Sequence, residues 1–150
     1  MEPLAFPAYD FALRTKGGKR QILDTVRRKW VRLMPEEWVR QHLLRYLAER
    51  GYPTGLTAVE KGFDYLGATW RADVVVVDRQ QRPLLLAECK APTVPVNQTT
   101  FDQLARYNTV VQAHALFATN GMTHYCCVFG EDGYAFLETL PSFADLEGMA

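Results

Sequence analysis

Apolar positions along the chain follow two rhythms. Between residues 35 and 50, Val39, Leu43, Leu44 and Leu47 recur at helical spacing. Pro35 suits the first helical turn because its φ is already fixed. Glu36 and Glu37 place acids at the positive end of the helix dipole. Gly51-Tyr52-Pro53 stops the helix, which is predicted over 35–50. A second helix is predicted over Thr100–Gln112, with Phe101, Leu104 and Ala105 inward. Strands have a different signature. Arg71–Asp78 contains Val74-Val75-Val76-Val77, and Pro83–Lys90 contains Leu84-Leu85-Leu86-Ala87. Unbroken apolar runs of this length read as strands buried on both faces. The polar stretch 78–82 is short enough to join them as an antiparallel hairpin. Thr57–Phe63, Ala115–Thr119, Tyr125–Phe129 and Tyr134–Leu137 are further strands, with turns at Asn120-Gly121 and Glu131-Asp132-Gly133. Upstream, Gly17-Gly18 between Phe11/Leu13 and Ile22/Leu23 reads as a hairpin or loose turn. Helix, three strands, helix, strands is the order of an α/β fold, a mixed sheet flanked by helices.

Composition narrows the class. A chain of 150 residues, 48% hydrophobic and 23% charged, suits one domain with one core, so residues 1–150 are read as a single domain. No apolar run approaches the roughly 20 residues needed to span a bilayer. No charged-then-apolar segment opens the chain, so the cytoplasm is the expected location. Three cysteines, Cys89, Cys126 and Cys127, form no spaced disulfide framework. His124 and Cys126 share a strand face, but one His and one Cys do not make a zinc site. The formal net charge is zero, yet residues 1–34 hold eight Lys and Arg against three acids. This basic N-terminal extension is expected to pack on the domain. It is either a phosphate-contacting patch, through Arg27, Arg28, Lys29, Arg32 and the turn Lys16–Arg20, or a solvated face.

The candidate chemistry lies on the apolar strands. Asp73 opens the valine run, Glu88 closes the leucine run, and Lys90 follows two residues later. Two residues along a strand means the same face, so Glu88 and Lys90 point the same way. In a hairpin the start of one strand lies beside the end of the other, which brings Asp73 next to both. Two close carboxylates repel each other, and a hard cation relieves the repulsion. Mg²⁺ accepts one or two carboxylates and completes its shell with water and phosphate oxygens. Such an ion polarises a phosphoryl group and lowers the pKa of a bound water. Lys90 is suited to orient that water and offset charge developing on phosphorus. The carbonyl of Cys89 is a further possible ligand, because hard ions take backbone oxygens.

Arg71-Ala72-Asp73 followed by Val74–Val77, then Leu84–Ala87 with Glu88-Cys89-Lys90, resembles the PD-(D/E)xK nuclease signature. More narrowly it is similar to the N-terminal nuclease domain of type I restriction enzyme R subunits. Pro35 through Gln41, and Thr119-Asn120-Gly121 through Cys127, carry the same resemblance, which runs from about residue 8 to 140. Gln103-Leu104-Ala105-Arg106-Tyr107 resembles the QxxxY pattern of the RecB-like subgroup. The resemblance implies a restriction-endonuclease-like fold and Mg²⁺-dependent hydrolysis of DNA, with Mn²⁺ as a substitute. It implies Asp73 and Glu88 as metal ligands, and Gln103 and Tyr107 as residues that position substrate or water. It also implies a helix glutamate near the metal. Glu36 and Glu37 both qualify; Glu36 is in phase with Val39, Leu43 and Leu47, should face the sheet, and is preferred.

Two features depart from that family. Met34 stands where a Ser or Thr cap would precede the helix, and the chain holds no GxxxxGK[ST] loop. The expectation is a stand-alone relative or an excised domain, dependent on motor or specificity subunits in other chains to bring DNA. Two other readings stay open: a DNA-binding or scaffold module of the same fold with little or no activity, and an enzyme acting on RNA or a small phosphate ester.

Overall fold

The computed structural model describes residues 2–150. A three-stranded antiparallel sheet comes first, with β1 Leu13–Lys16, β2 Lys19–Asp24 and β3 Lys29–Arg32. The Gly17-Gly18 hairpin forms as the sequence suggested, both glycines at positive φ. The third strand was not foreseen. It has no apolar alternation of its own, and it forms because Asp24 builds the turn that returns the chain. Asp24 Oδ1 accepts from the main-chain N–H groups of Val26 and Arg27.

Helix α1 spans Pro35–Glu49. Met34 supplies no side-chain cap, but its carbonyl accepts from Trp38 N–H, and Pro35 has no N–H to satisfy. The missing cap residue therefore leaves the start of the helix where it was predicted. After a short 3-10 turn at Thr54–Leu56 come β4 Thr57–Tyr65, β5 Ala68–Val77, β6 Pro83–Cys89, helix α2 Gln98–Val111, β7 Ala115–Thr119, β8 His124–Gly130 and β9 Gly133–Leu137. A seven-residue helix, α3 Phe143–Met149, ends the described chain. The strands form one six-stranded mixed sheet in sequence order, parallel only between β6 and β7. That one parallel pair is a consequence of α2, which carries the chain across the sheet between them. The β5–β6 hairpin turn is built by Asp78, whose carboxylate accepts from Gln80 and Arg82 main-chain N–H groups.

The sheet separates two apolar layers. On the α1 side Val39, Leu43, Leu47, Val74, Val76 and Phe117 pack with Leu140 and Leu146 from the end of the chain. On the α2 side Ala72, Val75, Leu86, Leu104 and Leu116 form the second layer. Covering both faces explains why β5, β6 and β7 read as continuous apolar runs. Among the described residues no helix is long and apolar enough to cross a membrane.

Candidate active site

The six-stranded sheet forks at one point. Pairing between β5 and β6 ends at Val74 and Ala87. Beyond it β5 stays with β4, and β6 stays with β7 as far as Cys89 and Thr119. Asp73 and Glu88 are the next residues on the two strands, so they stand across the fork from each other. Instead of joining a ladder, Cys89 N–H donates to Asp73 Oδ2 at 2.7 Å. Regular alternation on β5 also fails here. Ala72 and Val75, three residues apart, both pack on the α2 side, and Glu60, opposite Asp73 on β4, has a φ of 53°. On β6 the alternation holds from Leu85 onward: Leu86 packs toward α2 and Ala87 and Cys89 toward α1, so Glu88 and Lys90 share the α2 face.

Lys90 Nζ lies 3.3 Å from Glu88 Oε1. The other oxygen, Glu88 Oε2, is buried and has no hydrogen-bond partner. Burial raises the Glu88 carboxyl above its ordinary range despite the neighbouring ammonium, and Asp73 adds to the rise. Burial works the other way on Lys90, but the carboxylates of Glu88, Asp73 and Glu36 outweigh it and hold Lys90 above the usual lysine range. Asp73 Oδ1 is 2.9 Å from Arg40, a guanidinium only 5% exposed that also reaches Glu37 at 2.7 Å and Glu36 at 3.2 Å. Arg40 is therefore the cation that holds Asp73 in place. Its one signal in the sequence was its phase: a charged residue three and four positions before Leu43 and Leu44 on the buried stripe.

The two helix acids differ from expectation. Glu36 keeps 47% of its side chain exposed, whereas Glu37 keeps 10%. Glu37 is drawn inward by Arg27, Arg40 and Gln41, polar partners that a hydrophobic period cannot register. Glu36 stays on the rim of the site. Its carboxyl is raised by burial and by Asp73, against the pull of Arg40 and Lys90.

Gln103 and Tyr107 share one face of α2, and Gln103 Nε2 donates to the Tyr107 hydroxyl at 3.1 Å. Among the described residues no hydrogen bond joins this pair to Asp73, Glu88 or Lys90. The Tyr107 ring is instead stacked on Trp70 at 3.9 Å and meets Tyr65 edge-on at 5.1 Å. Arg27, part of the basic segment read as either a phosphate-contacting patch or a solvated face, is also committed elsewhere. It pairs with Asp24 at 2.6 Å, Glu37 at 3.0 Å and Glu60 at 3.3 Å. His124 uses both ring nitrogens, on Thr119 Oγ1 and the Ala5 carbonyl.

Among the described residues no three His, Cys, Asp or Glu side chains converge into a metal-binding group. The fork offers two carboxylates, one with an uncommitted buried oxygen. Mg²⁺ fits such a set because it needs few protein ligands and keeps water in the remaining positions. Cys89 has no thiolate to offer: its side chain lies in the α1-side core, and burial holds the thiol far above its usual range. Only its main-chain carbonyl suits a hard ion.

Comparison with known proteins agrees with this architecture. No curated protein matches the sequence. Among solved structures, a fragment assigned to the HsdR subunit of a type I restriction enzyme from Vibrio vulnificus YJ016 superposes with a TM-score of 0.58 at 21% identity, which speaks for the fold. The match covers 77% of this chain and 25% of that one, so the chain spans about a quarter of that relative. Residues 35–141 match the family model described as the type I restriction enzyme R protein N terminus, a span that includes every candidate site residue. The chain belongs to the family of type I restriction enzyme R protein N termini.

Proposed function

We propose that the chain is a Mg²⁺-dependent nuclease that hydrolyses DNA phosphodiester bonds at the fork between β5 and β6. The observation that carries the reading is the uncommitted, buried Glu88 Oε2, across the fork from Asp73 and next to the charged Lys90. A buried carboxylate oxygen without a partner costs free energy in a protein that leaves it so. A cation ligated there would recover that cost. DNA as the substrate rests on the family.

Asp73, Glu88 and the Cys89 carbonyl would hold the ion, while Glu36 stays on the rim and does not converge with the two carboxylates. When bound, the ion supplies Lewis acidity and a water of lowered pKa. Lys90 keeps its proton at neutral pH and presents a fixed positive charge where phosphate charge develops. Arg40 fixes the rotamer of Asp73 and leaves the fork with two oriented carboxylates. Gln103 Nε2 and the Tyr107 hydroxyl offer a hydrogen-bonding pair to substrate on the α2 side. With no net charge and Arg27 committed to acids, phosphate contact falls to the exposed Arg28, Lys29 and Arg32, and partner subunits would deliver the DNA.

A scaffold without turnover is the second reading. Arg40 favours it, because its guanidinium already neutralises Asp73. Calorimetric titration with Mg²⁺ and Mn²⁺, alongside cleavage of duplex DNA with and without chelator, separates the two. The nuclease reading expects metal binding that disappears in Asp73→Ala and Glu88→Ala, and cleavage that stops with chelator. Cleavage that survives excess chelator, or metal binding indifferent to both substitutions, would sink it.

A further inference from the structure

The fork has a second product besides the carboxylate pair. Past Ala72, β5 is paired with β4 alone, and the two strands continue to the turn at Tyr65 and Ala68 as a two-stranded ribbon. From Asp73 to the turn is six residues, roughly 20 Å of strand at about 3.3 Å each. The ribbon therefore springs from the candidate site and reaches past it. One face is braced. Trp70 pairs across the ribbon with Phe63 and stacks on Tyr107 of α2 at 3.9 Å. This fixes the direction of the arm.

The tip contradicts both local rules for such a turn. The two-residue loop is Leu66-Gly67, with φ of 50° and 82°. A turn with both residues at positive φ favours Asn-Gly or Asp-Gly. Leucine is strained there, and nothing in the protein compensates, because Leu66 is 89% exposed. Backbone strain combined with an exposed apolar side chain points to a use outside the folded chain.

Resting on the reading of the fork as a DNA-cleaving site, we infer that the β4–β5 ribbon is a DNA-engaging arm whose tip residue, Leu66, wedges against a base step of the duplex held at the fork. A two-stranded ribbon can enter a groove of the duplex, and apolar side chains inserted from the minor groove are the kind that open base steps. Lys61 and Arg71 are exposed at its root, one on each face, in reach of phosphates beside the fork. Towards the tip the outer face carries Asp64 and Thr69 and no cation, so the tip acts by apolar contact and shape.

The test uses the whole chain, duplexes containing 2-aminopurine, and the substitutions Leu66→Asn and Leu66→Met. Leu66→Asn supplies the residue the turn prefers, so the variant should fold at least as stably as the parent. The expected result is 2-aminopurine fluorescence that rises with the parent chain and with Leu66→Met and stays flat with Leu66→Asn. Duplex affinity of Leu66→Asn should fall about tenfold, which is about 1.4 kcal/mol, with the salt dependence of binding unchanged. Parent-level unstacking and affinity in Leu66→Asn would overturn the arm and leave the nuclease reading standing; this is also the result if the tip binds a protein. Unstacking that depends on Leu66, together with metal binding indifferent to Asp73→Ala and Glu88→Ala, would keep the arm and sink the nuclease reading.

Discussion

Two groups of acids sit at the N-terminal end of α1, and they are built in opposite ways. Asp24 is fully buried, and both oxygens are spoken for: Oδ1 by the Val26 and Arg27 main-chain N–H groups, Oδ2 by Arg27 Nε and Gln41 Nε2. Glu37 closes the same network through Arg27, Arg40 and Gln41. Burial works against the Asp24 carboxylate, but these donors outweigh it and hold the group below its usual range. At the fork, Glu88 keeps 13% of its side chain exposed, yet its Oε2 is buried without a partner and its carboxyl is pushed upward. The same side-chain chemistry gives a brace in one place and a frustrated pair in the other. Arg40 touches both, donating to Glu37 and to Asp73. The brace holds the three-stranded sheet on α1, and through Arg40 it positions one arm of the site.

The largest effect should come from breaking the brace. Asp24→Ala leaves Arg27 without its closest partner inside the protein. Removing one member of a buried ion pair typically costs about 3–5 kcal/mol. Urea denaturation should show a loss of that size. Asp24 also sets a pH signature. Its folded pKa lies below its unfolded one, so its contribution is complete above the unfolded value and fades as pH falls through the folded value. The parent should lose stability on acidification over that window, and Asp24→Ala should lose less. Equal acid sensitivity in both would mean that the Asp24 network does not control acid stability.

The next effect should be on turnover alone. Lys90→Ala removes a charge from the site without removing a proposed metal ligand. A lost preorganised donor costs on the order of 10²–10³ in kcat. Metal affinity by calorimetry should persist. Should metal binding vanish with Lys90 and survive Asp73→Ala, the roles given to these residues are reversed.

Tyr107 should show an intermediate effect of mixed origin. Tyr107→Phe keeps the ring on Trp70 and deletes only the hydroxyl bonded to Gln103. The unfolding free energy should stay within about 1 kcal/mol of the parent, the net worth of a single hydrogen bond. Tyr107→Ala removes the stack as well and should cost more. If Tyr107→Phe also leaves cleavage unchanged while Tyr107→Ala impairs it, the ring is the functional part and the hydroxyl is not.

The sequence showed the fork more clearly than the brace. Asp73, Glu88 and Lys90 sit at the ends of two apolar runs joined by five polar residues, and hairpin geometry alone sets them side by side. A mixed sheet was legible from the order of helices and strands, although which pair runs parallel was not read from it. The brace depends on contacts between Asp24, Arg27, Glu37 and Gln41, separated by up to 17 positions, and no periodicity marks them. For that reason Glu36 was preferred over Glu37 as the inward acid, and Arg27 was read as a phosphate contact or a solvated cation and not as part of a buried network. β3 was missed because a turn made by Asp24, not its own pattern, creates it. The α3 helix went unseen because seven residues are too few for a period to show, although Ser142 caps it by accepting from Asp145 N–H.

The variant expected to change stability least, Glu88→Gln, is the most diagnostic of the comparison when set beside Asp24→Asn. Asp24→Asn and Glu88→Gln are both nearly isosteric and both remove one negative charge from a buried site. At Asp24 the amide nitrogen would face donors, Arg27 and Gln41 or the Val26 and Arg27 N–H groups, whichever way it turns. Stability should fall by at least about 1–3 kcal/mol, the cost of an unsatisfied buried group. At Glu88 the removed charge was itself disfavoured by burial, and Lys90, a third exposed, can turn to solvent. Glu88→Gln should therefore cost nothing or stabilise the metal-free chain by less than about 1 kcal/mol at neutral pH. The difference should shrink on acidification, because the raised Glu88 carboxyl takes up its proton above the ordinary carboxylate range and the parent then also carries a neutral side chain. Parallel urea titrations of the two variants, repeated with Mg²⁺, would read the contrast directly. Equal losses in both variants would show that Glu88 is held as firmly as Asp24, and that the fork is a brace and not a site left open for a ligand.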